Sequence, residues 1–320
     1  MDYEEIKLFR EQNIHKQSNY QDLNIFHDRL IEQTVKTALR KIEEEQGKAP
    51  APFAFFVMGS AGRSEQSLWT DQDHGIVYKG TSAEKEYFLQ LGEEIANGLE
   101  IVCYPKCEGK VMASEPMWTH SVENWSYQVE HWLDEATWQS LRHFSTFFDS
   151  RVLIGDTAFL DAVKRATFDH LDSDTRVYKR LIDNVDYIRK GIGIFGQLLP
   201  EQSGPMTGHI HLKTTAFFPY VNALRLLALV NHDLHVSTAV RFQCLKDSYP
   251  FLLEYEDQFE RLLEFRYKHT KKAKNYDEVH YVSLKQLSKS DKQELKHFMK
   301  SGAELFDKTK NFIENECSLW

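Results

Sequence analysis

Asp71 and Asp73 stand one residue apart in the run Thr70-Asp71-Gln72-Asp73, just ahead of the apolar stretch Ile76-Val77-Tyr78. Along an extended chain side chains alternate between faces, so both carboxylates fall on one face while Gln72 turns away. Two carboxylates side by side make a hard oxygen site that suits Mg²⁺ or Mn²⁺, with water and substrate phosphates completing the coordination shell. Upstream, Gly59 and Ser60 follow the hydrophobic run Phe53-Ala54-Phe55-Phe56-Val57-Met58. A residue without Cβ lets the backbone come close to a ligand, and amide N–H groups at such a turn point at anions. A triphosphate fits this pattern, and the reaction it suggests is attack on an α-phosphate with pyrophosphate as the leaving group.

The elements needed to position these residues follow from hydrophobic periodicity. Residues 53–58 predict a buried strand, and a loop or short helix through Arg63, Glu65 and Leu68 leads to a second strand over 74–78. A helix from about 82 to 101 carries Tyr87, Phe88, Leu91, Ile95 and Leu99 on one face, and 109–113 reads as a third strand. Trp118, Trp125, Trp132 and Trp138 mark two aromatic-rich helices whose tryptophans pack a core, and a last short strand falls within 147–156. The expectation is an α/β (α+β) domain with a small mixed sheet of four or five strands. Before it, 20–46 form an amphipathic helix that stops at Gly47; after Asp156 the periodicity is helical almost throughout, with breaks at Pro200, Ser203-Gly204-Pro205 and Asn275-Tyr276. The chain therefore divides into an amino-terminal helical segment (1–48), an α/β domain (49–156) and an all-α helical bundle (157–320).

Composition narrows the partners. A chain of 320 residues with 42% hydrophobic and 27% charged residues has the make-up of a folded protein of about two domains, not of a disordered one. Lys and Arg total 39 against 48 Asp and Glu, and the resulting charge of −9 disfavours binding to a nucleic-acid phosphate backbone. No apolar stretch approaches the ~20 residues of a membrane span, so the expected location is cytoplasmic, away from a membrane. Four cysteines, at 103, 107, 244 and 317, are too few and scattered for a disulfide framework and read as reduced thiols. Cys103 and Cys107 with His120, and likewise His209 with His211, lack the further ligands of a zinc site. The basic run from 268 to 274 reads as a solvated helix end.

Taken together, the motif Gly59-Ser60-Ala61-Gly62-Arg63-Ser64-Glu65-Gln66, followed by Thr70-Asp71-Gln72-Asp73, resembles the polymerase-β-like nucleotidyltransferase superfamily. More closely, it is similar to nucleotidyltransferases related to the amino-terminal domain of GlnD, the PII uridylyltransferase. Cys107-Glu108-Gly109-Lys110-Val111-Met112-Ala113-Ser114-Glu115-Pro116-Met117-Trp118 looks like a second stretch of that family, with Glu115 where Asn is usual. Phe148-Asp149-Ser150-Arg151 with Gly155-Asp156 is a third. In the helical half, His211-Leu212-Lys213, Pro219, Arg225, Ala228, Ser237-Thr238 and Arg241 resemble the family's carboxy-terminal domain.

What the resemblance implies is a bacterial-type enzyme that moves a nucleoside monophosphate from a nucleoside triphosphate to an acceptor, with a regulatory protein like PII as one such acceptor. Gly59 and Ser60 would hold the β- and γ-phosphates, and Asp71 and Asp73 the Mg²⁺ or Mn²⁺. Arg63 would pair with a phosphate oxygen or with Glu65 or Asp71, and Lys213 and Arg225 would meet the nucleotide from the helical domain. Active members of the superfamily carry a third carboxylate on a later strand, and 110–114 offer none. Glu108, Glu115 and Asp149 are the substitutes, with Glu108 first because it immediately precedes that strand. The alternative reading is a nucleotide-binding signal-transduction sensor that keeps Gly-Ser and Asp-x-Asp without turnover.

Overall fold

The run Phe53-Ala54-Phe55-Phe56-Val57 forms strand β1 (Phe53–Val57), buried along nearly its whole length, as its aromatic and β-branched content requires. Among elements that precede it, α1 (Tyr3–Asn13) starts on a capping box in which the Asp2 carboxylate and the Glu5 side chain exchange bonds with the backbone, and α2 spans Tyr20–Gln46. The Asn19 side chain caps α2 and Gly47, at φ 89°, ends it. The computed structural model describes residues 1–317. The thiol of Cys317 lies outside the described part.

After β1 comes a four-residue helical turn, α3 (Gly59–Gly62), then β2 (His74–Tyr78), α4 (Lys85–Ile101), β3 (Thr119–Ser121), α5 (Val122–Glu135), α6 (Trp138–Phe148), β4 (Arg151–Gly155) and α7 (Thr157–Ser173). The sheet order is β3-β2-β1-β4. β1 runs antiparallel to β2, with Phe55 opposite Ile76 and Val57 opposite His74, and antiparallel to β4 across a register shift between Phe55 and Phe56. β3 pairs parallel with β2. This is the small mixed sheet expected, with one correction: the third strand is not at 109–113. There the chain turns, with Lys110 at φ 54°, and touches β2 through a single backbone bond from His74 N–H to Val111 C=O. Trp118, Trp125 and Trp132 pack against one another and Phe147 in the core, whereas Trp138 is exposed.

One compact unit covers Met1–His170 and so takes in α1, α2 and most of α7. Sequence periodicity alone divides the chain at 48 and 156, because it registers element type and not what each element grips. α7 is tied to the sheet by the buried Lys164, whose ammonium donates to the carbonyls of Phe148 and Ser150 (2.9 and 2.5 Å), and by Phe168 against Phe148.

The other unit, Leu171–Trp320, is mainly helical. It contains α8 (Arg176–Val185), α9 (Phe218–Val230), α10 (Thr238–Leu245), α11 (Glu256–Thr270) and α12 (Lys289–Cys317). α9 is buried almost all round and packs against α8, α10 and α12; the Tyr220 hydroxyl donates to the Phe298 carbonyl of α12 at 3.0 Å. The expected helical region is there, but it also holds a two-stranded antiparallel pair that the all-α expectation lacks, β5 (His209–His211) and β6 (Tyr281–Ser283). Three residues per strand are too few to imprint an alternation on the sequence.

Candidate functional site

Asp71 and Asp73 lie in the extended segment that runs into β2. Alternation holds there: both carboxylates are half-buried on one side, while Gln72 and His74 are buried on the other. The segment is fixed from both edges, since Met58 N–H donates to Asp73 C=O (2.8 Å) and Gln72 N–H donates to Pro105 C=O (3.1 Å). The side chain of Gln72 donates to the carbonyls of Ala96 and Tyr104 (3.0 and 2.8 Å). Ala113 N–H donates to His74 Nδ1 (3.1 Å), which places the imidazole proton on Nε2, where it is given to Gln72 Oε1 (3.1 Å). The inward-facing half of the segment is thus fully hydrogen-bonded, and that locks the outward-facing half.

Gly59 opens α3 at φ 56°, and a Cβ built on it would come within 2.5 Å of Asp73 Oδ2. Its absence lets the backbone of the turn and the carboxylate meet. The N–H groups of Gly59, Ser60 and Ala61 precede the first bond of the turn, from Gly62 N–H to Met58 C=O. Ser60 Oγ stands 3.5 Å from Thr70 Oγ1. At the other end of the turn a Cβ on Gly62 would lie 1.9 Å from the Asp149 carbonyl oxygen, so the turn is pressed against the chain leading into β4.

One carboxylate oxygen each from Asp71 and Asp73 and the sulfur of Cys107 all lie within 4.8 Å of one another, and this is the one such group of metal-ligating side chains among the described residues. The chemistry of the donor set fits a hard divalent cation at the two carboxylates. Cys107 is a soft sulfur donor that suits such a cation poorly; burial, and then the charge of Asp73, push its thiol up to about 12. Cys103 and His120 lie outside this group.

The expected third carboxylates are elsewhere. Glu108 follows Cys107 but its side chain is exposed, Glu115 is half-buried, and neither joins the group. Asp149 is 0% exposed and accepts from Arg63 Nη1 at 2.9 Å, while Arg63 Nε donates to Glu65 Oε2 at 2.8 Å. Arg63 is therefore the centre of a buried Glu65–Arg63–Asp149 triad. The two carboxylates hold its guanidinium charged, against the opposing effect of burial. Of the two roles expected for Arg63, the structure displays an ion pair, with Glu65 as the expected partner and Asp149 as a further one. Lys213 and Arg225 belong to the second unit, where Arg225 donates to Asn222 Oδ1 at 2.8 Å.

Sequence reasoning missed the residues that hold the motif loop. Asn24 of α2 donates from Nδ2 to Gln66 C=O and accepts from Gln66 N–H (3.3 and 2.7 Å). His27 Nε2–H donates to Ser67 C=O (2.9 Å), and its Nδ1 accepts from the Tyr104 hydroxyl (2.8 Å). Arg10 Nη2 donates to Leu68 C=O (3.1 Å), its guanidinium lying over the Trp69 ring. Arg151 bridges Asp28 Oδ1 (2.6 Å) and the carbonyls of Ala61 and Gly62. The signal was present: Asn24 and His27 lie within the apolar stripe of Tyr20, Leu23, Leu30 and Ile31.

Burial depresses both His27 and His74 to about 3, from an ordinary value near 6.5. Both are neutral in the folded chain and take up protons on unfolding. Their contribution to stability is fully present above about pH 6.5 and is lost as the pH falls toward 3, at up to about 1.4 kcal/mol per pH unit for each imidazole. Urea unfolding at about pH 7, 6 and 5 should show this slope, and His27→Gln should make it shallower by close to one proton. An unchanged slope would contradict the burial of a neutral His27.

A small mixed sheet, with a glycine turn after its first strand set against a carboxylate pair ahead of its second, together with a helical unit, defines a nucleotidyltransferase fold. The family model described as "Putative nucleotidyltransferase DUF294" matches residues 4–139, and that described as "Putative nucleotidyltransferase substrate binding domain" matches residues 175–311. The two span most of the sequence, and the chain belongs to this nucleotidyltransferase family. No curated protein matches it. Among the described residues no helix is long and apolar enough to cross a membrane.

Proposed function

We propose that the first unit binds a nucleoside triphosphate with Mg²⁺ or Mn²⁺ and transfers its nucleoside monophosphate to an acceptor hydroxyl. The observation that carries this reading is the meeting of the Asp71–Asp73 pair with the Gly59 turn. Asp71 and Asp73 would hold the cation, whose role when bound is to offset negative charge on the phosphates. The backbone N–H groups of Gly59, Ser60 and Ala61 face the position of the β- and γ-phosphates in this reading. The acceptor oxygen forms a bond to the α-phosphorus, the bond to the β-phosphate oxygen breaks, and pyrophosphate leaves. The acceptor's proton goes to a carboxylate within hydrogen-bond reach, for which the group offers Asp71 and Asp73. The resemblance to GlnD suggests a PII-like regulatory protein as acceptor and a uridylyl or adenylyl group as the moiety moved.

One observation favours a second reading. The third member of the group is the thiol of Cys107 and not a carboxylate, which suits a nucleotide sensor that does not turn over. Incubation with each α-³²P-labelled nucleoside triphosphate and Mg²⁺, with and without cell extract, separates the two. Transfer predicts label on a macromolecule with release of pyrophosphate, and Glu108→Gln, at an exposed position, should leave its rate within about threefold. Nucleotide that binds but never becomes covalently attached overturns the transfer reading and leaves the sensor.

A further inference from the structure

We infer that the second unit carries a phosphate-binding site of its own, built from Lys213, His211 and His280. This inference concerns side chains of that unit alone and does not rest on the reading of the first.

The pairing of β5 with β6 sets His211 opposite Tyr281, which brings His280 alongside: the two imidazole rings stack with centroids 6.0 Å apart and planes at 18°. Lys213 follows two residues after His211 and begins a π-helical turn, Lys213–Phe217, that feeds α9. Such turns are rare and occur mostly at functional sites. Thr214 N–H donates to His211 Nδ1 (3.2 Å), so the His211 proton is on Nε2, and the Thr214 hydroxyl also lies against Nδ1 (2.9 Å). His211 thereby presents an N–H donor without carrying charge.

The surroundings are cationic. Burial, then the charge of Lys213, the neighbouring His211 and the charge of Arg266 push His280 down to about 3, and burial with the charges of Arg189 and Lys213 lowers His211. Arg266 lies over the Phe217 ring at 4.4 Å. The acid that faces His211, Glu201, is held by both Nη atoms of Arg189 (2.6 and 2.8 Å). Among the described residues no carboxylate makes an ion pair with Lys213, His211 or His280, and all three are half-buried.

A half-buried ammonium with a second cation, Arg266, acting on the same imidazole is in a place that an anion would stabilise. Neutral imidazole N–H groups beside an ammonium match an anion with several acceptor oxygens and more than one negative charge, which is the chemistry of a phosphate group. Among the described residues these imidazoles belong to no group of three metal ligands, so a metal ion is the poorer match. The description of this stretch as a substrate-binding domain agrees, and the inference names the side chains and the ligand class.

The test uses the full chain carrying Asp71→Asn and Asp73→Asn, without divalent ions, titrated calorimetrically with pyrophosphate. Saturable binding is expected, with shifts of the His211 and His280 imidazole ¹H–¹⁵N resonances. Adding Lys213→Met should weaken binding by about tenfold or more, and Lys213→Arg should restore most of it. His280→Gln serves if Lys213→Met does not fold. Inorganic phosphate and a nucleoside triphosphate as parallel titrants identify the source of the phosphate, and tightest binding of any of the three supports the site. No binding of any titrant, or equal binding with and without Lys213→Met and His280→Gln, overturns it.

Discussion

Exchanging Asp71 and Asp73 together for Asn should remove the thermal stabilisation that a nucleoside triphosphate with Mg²⁺ confers on the unaltered chain. At a hundredfold excess of ligand over Kd that stabilisation amounts to about 2.7 kcal/mol, enough to read in a melting curve. The double exchange keeps volume and removes both charges, and the inward contacts of Gln72 and His74 remain to hold the backbone. Gly59→Ala offers an independent probe, because its methyl group would meet Asp73 Oδ2 at 2.5 Å and the residue must sit at φ 56°. It should weaken metal-dependent binding although both carboxylates are still present. An undiminished shift in the Asp71→Asn, Asp73→Asn chain would exclude these carboxylates as the metal site.

Arg63→Met should destabilise the first unit by about 3–5 kcal/mol, the range for breaking a buried ion pair from one side. The loss arises because Glu65, at 4% exposure, and Asp149, at 0%, would be left as buried carboxylates with the guanidinium gone. The combination Arg63→Met, Glu65→Gln and Asp149→Asn removes the charges along with their partner and should recover much of that stability. Midpoints of urea unfolding measure both. A loss below about 1 kcal/mol for Arg63→Met would place the triad with exposed pairs that contribute little.

The parts of this architecture legible in the sequence are those written locally. β1 and β2 announce themselves by unbroken buried runs, and the one-face placement of Asp71 and Asp73 needs nothing beyond strand alternation. The membership of the site is tertiary and left a weaker mark. Cys107 reaches the carboxylates because the chain from Pro105 to Val111 is bonded to the Asp71–His74 segment at both ends. The residue beside it, Glu108, ranks first in the sequence because it immediately precedes the run that reads as a third strand. Arg63 and Asp149 are 86 positions apart, so no spacing rule could join them. The apolar character of 111–113 suggested a strand, but Gly109 and the left-handed Lys110 leave it one bond from β2 instead of a ladder.

The grip of α2 on the motif loop bears on how this protein can be dissected. A fragment beginning at residue 49 would retain every residue of the motif and lose Arg10, Asn24, His27 and Asp28. The backbone groups of Gln66, Ser67 and Leu68 would then exchange their partners for water. The smallest portable module therefore begins at α1, and grafting the sheet and its motif into another chain requires that helix pair to travel with them. A force or rotation applied at the amino terminus meets the loop between the Gly59 turn and the carboxylates at the start of α2, since Asn24 and His27 lie within about 12 Å of helix from Tyr20.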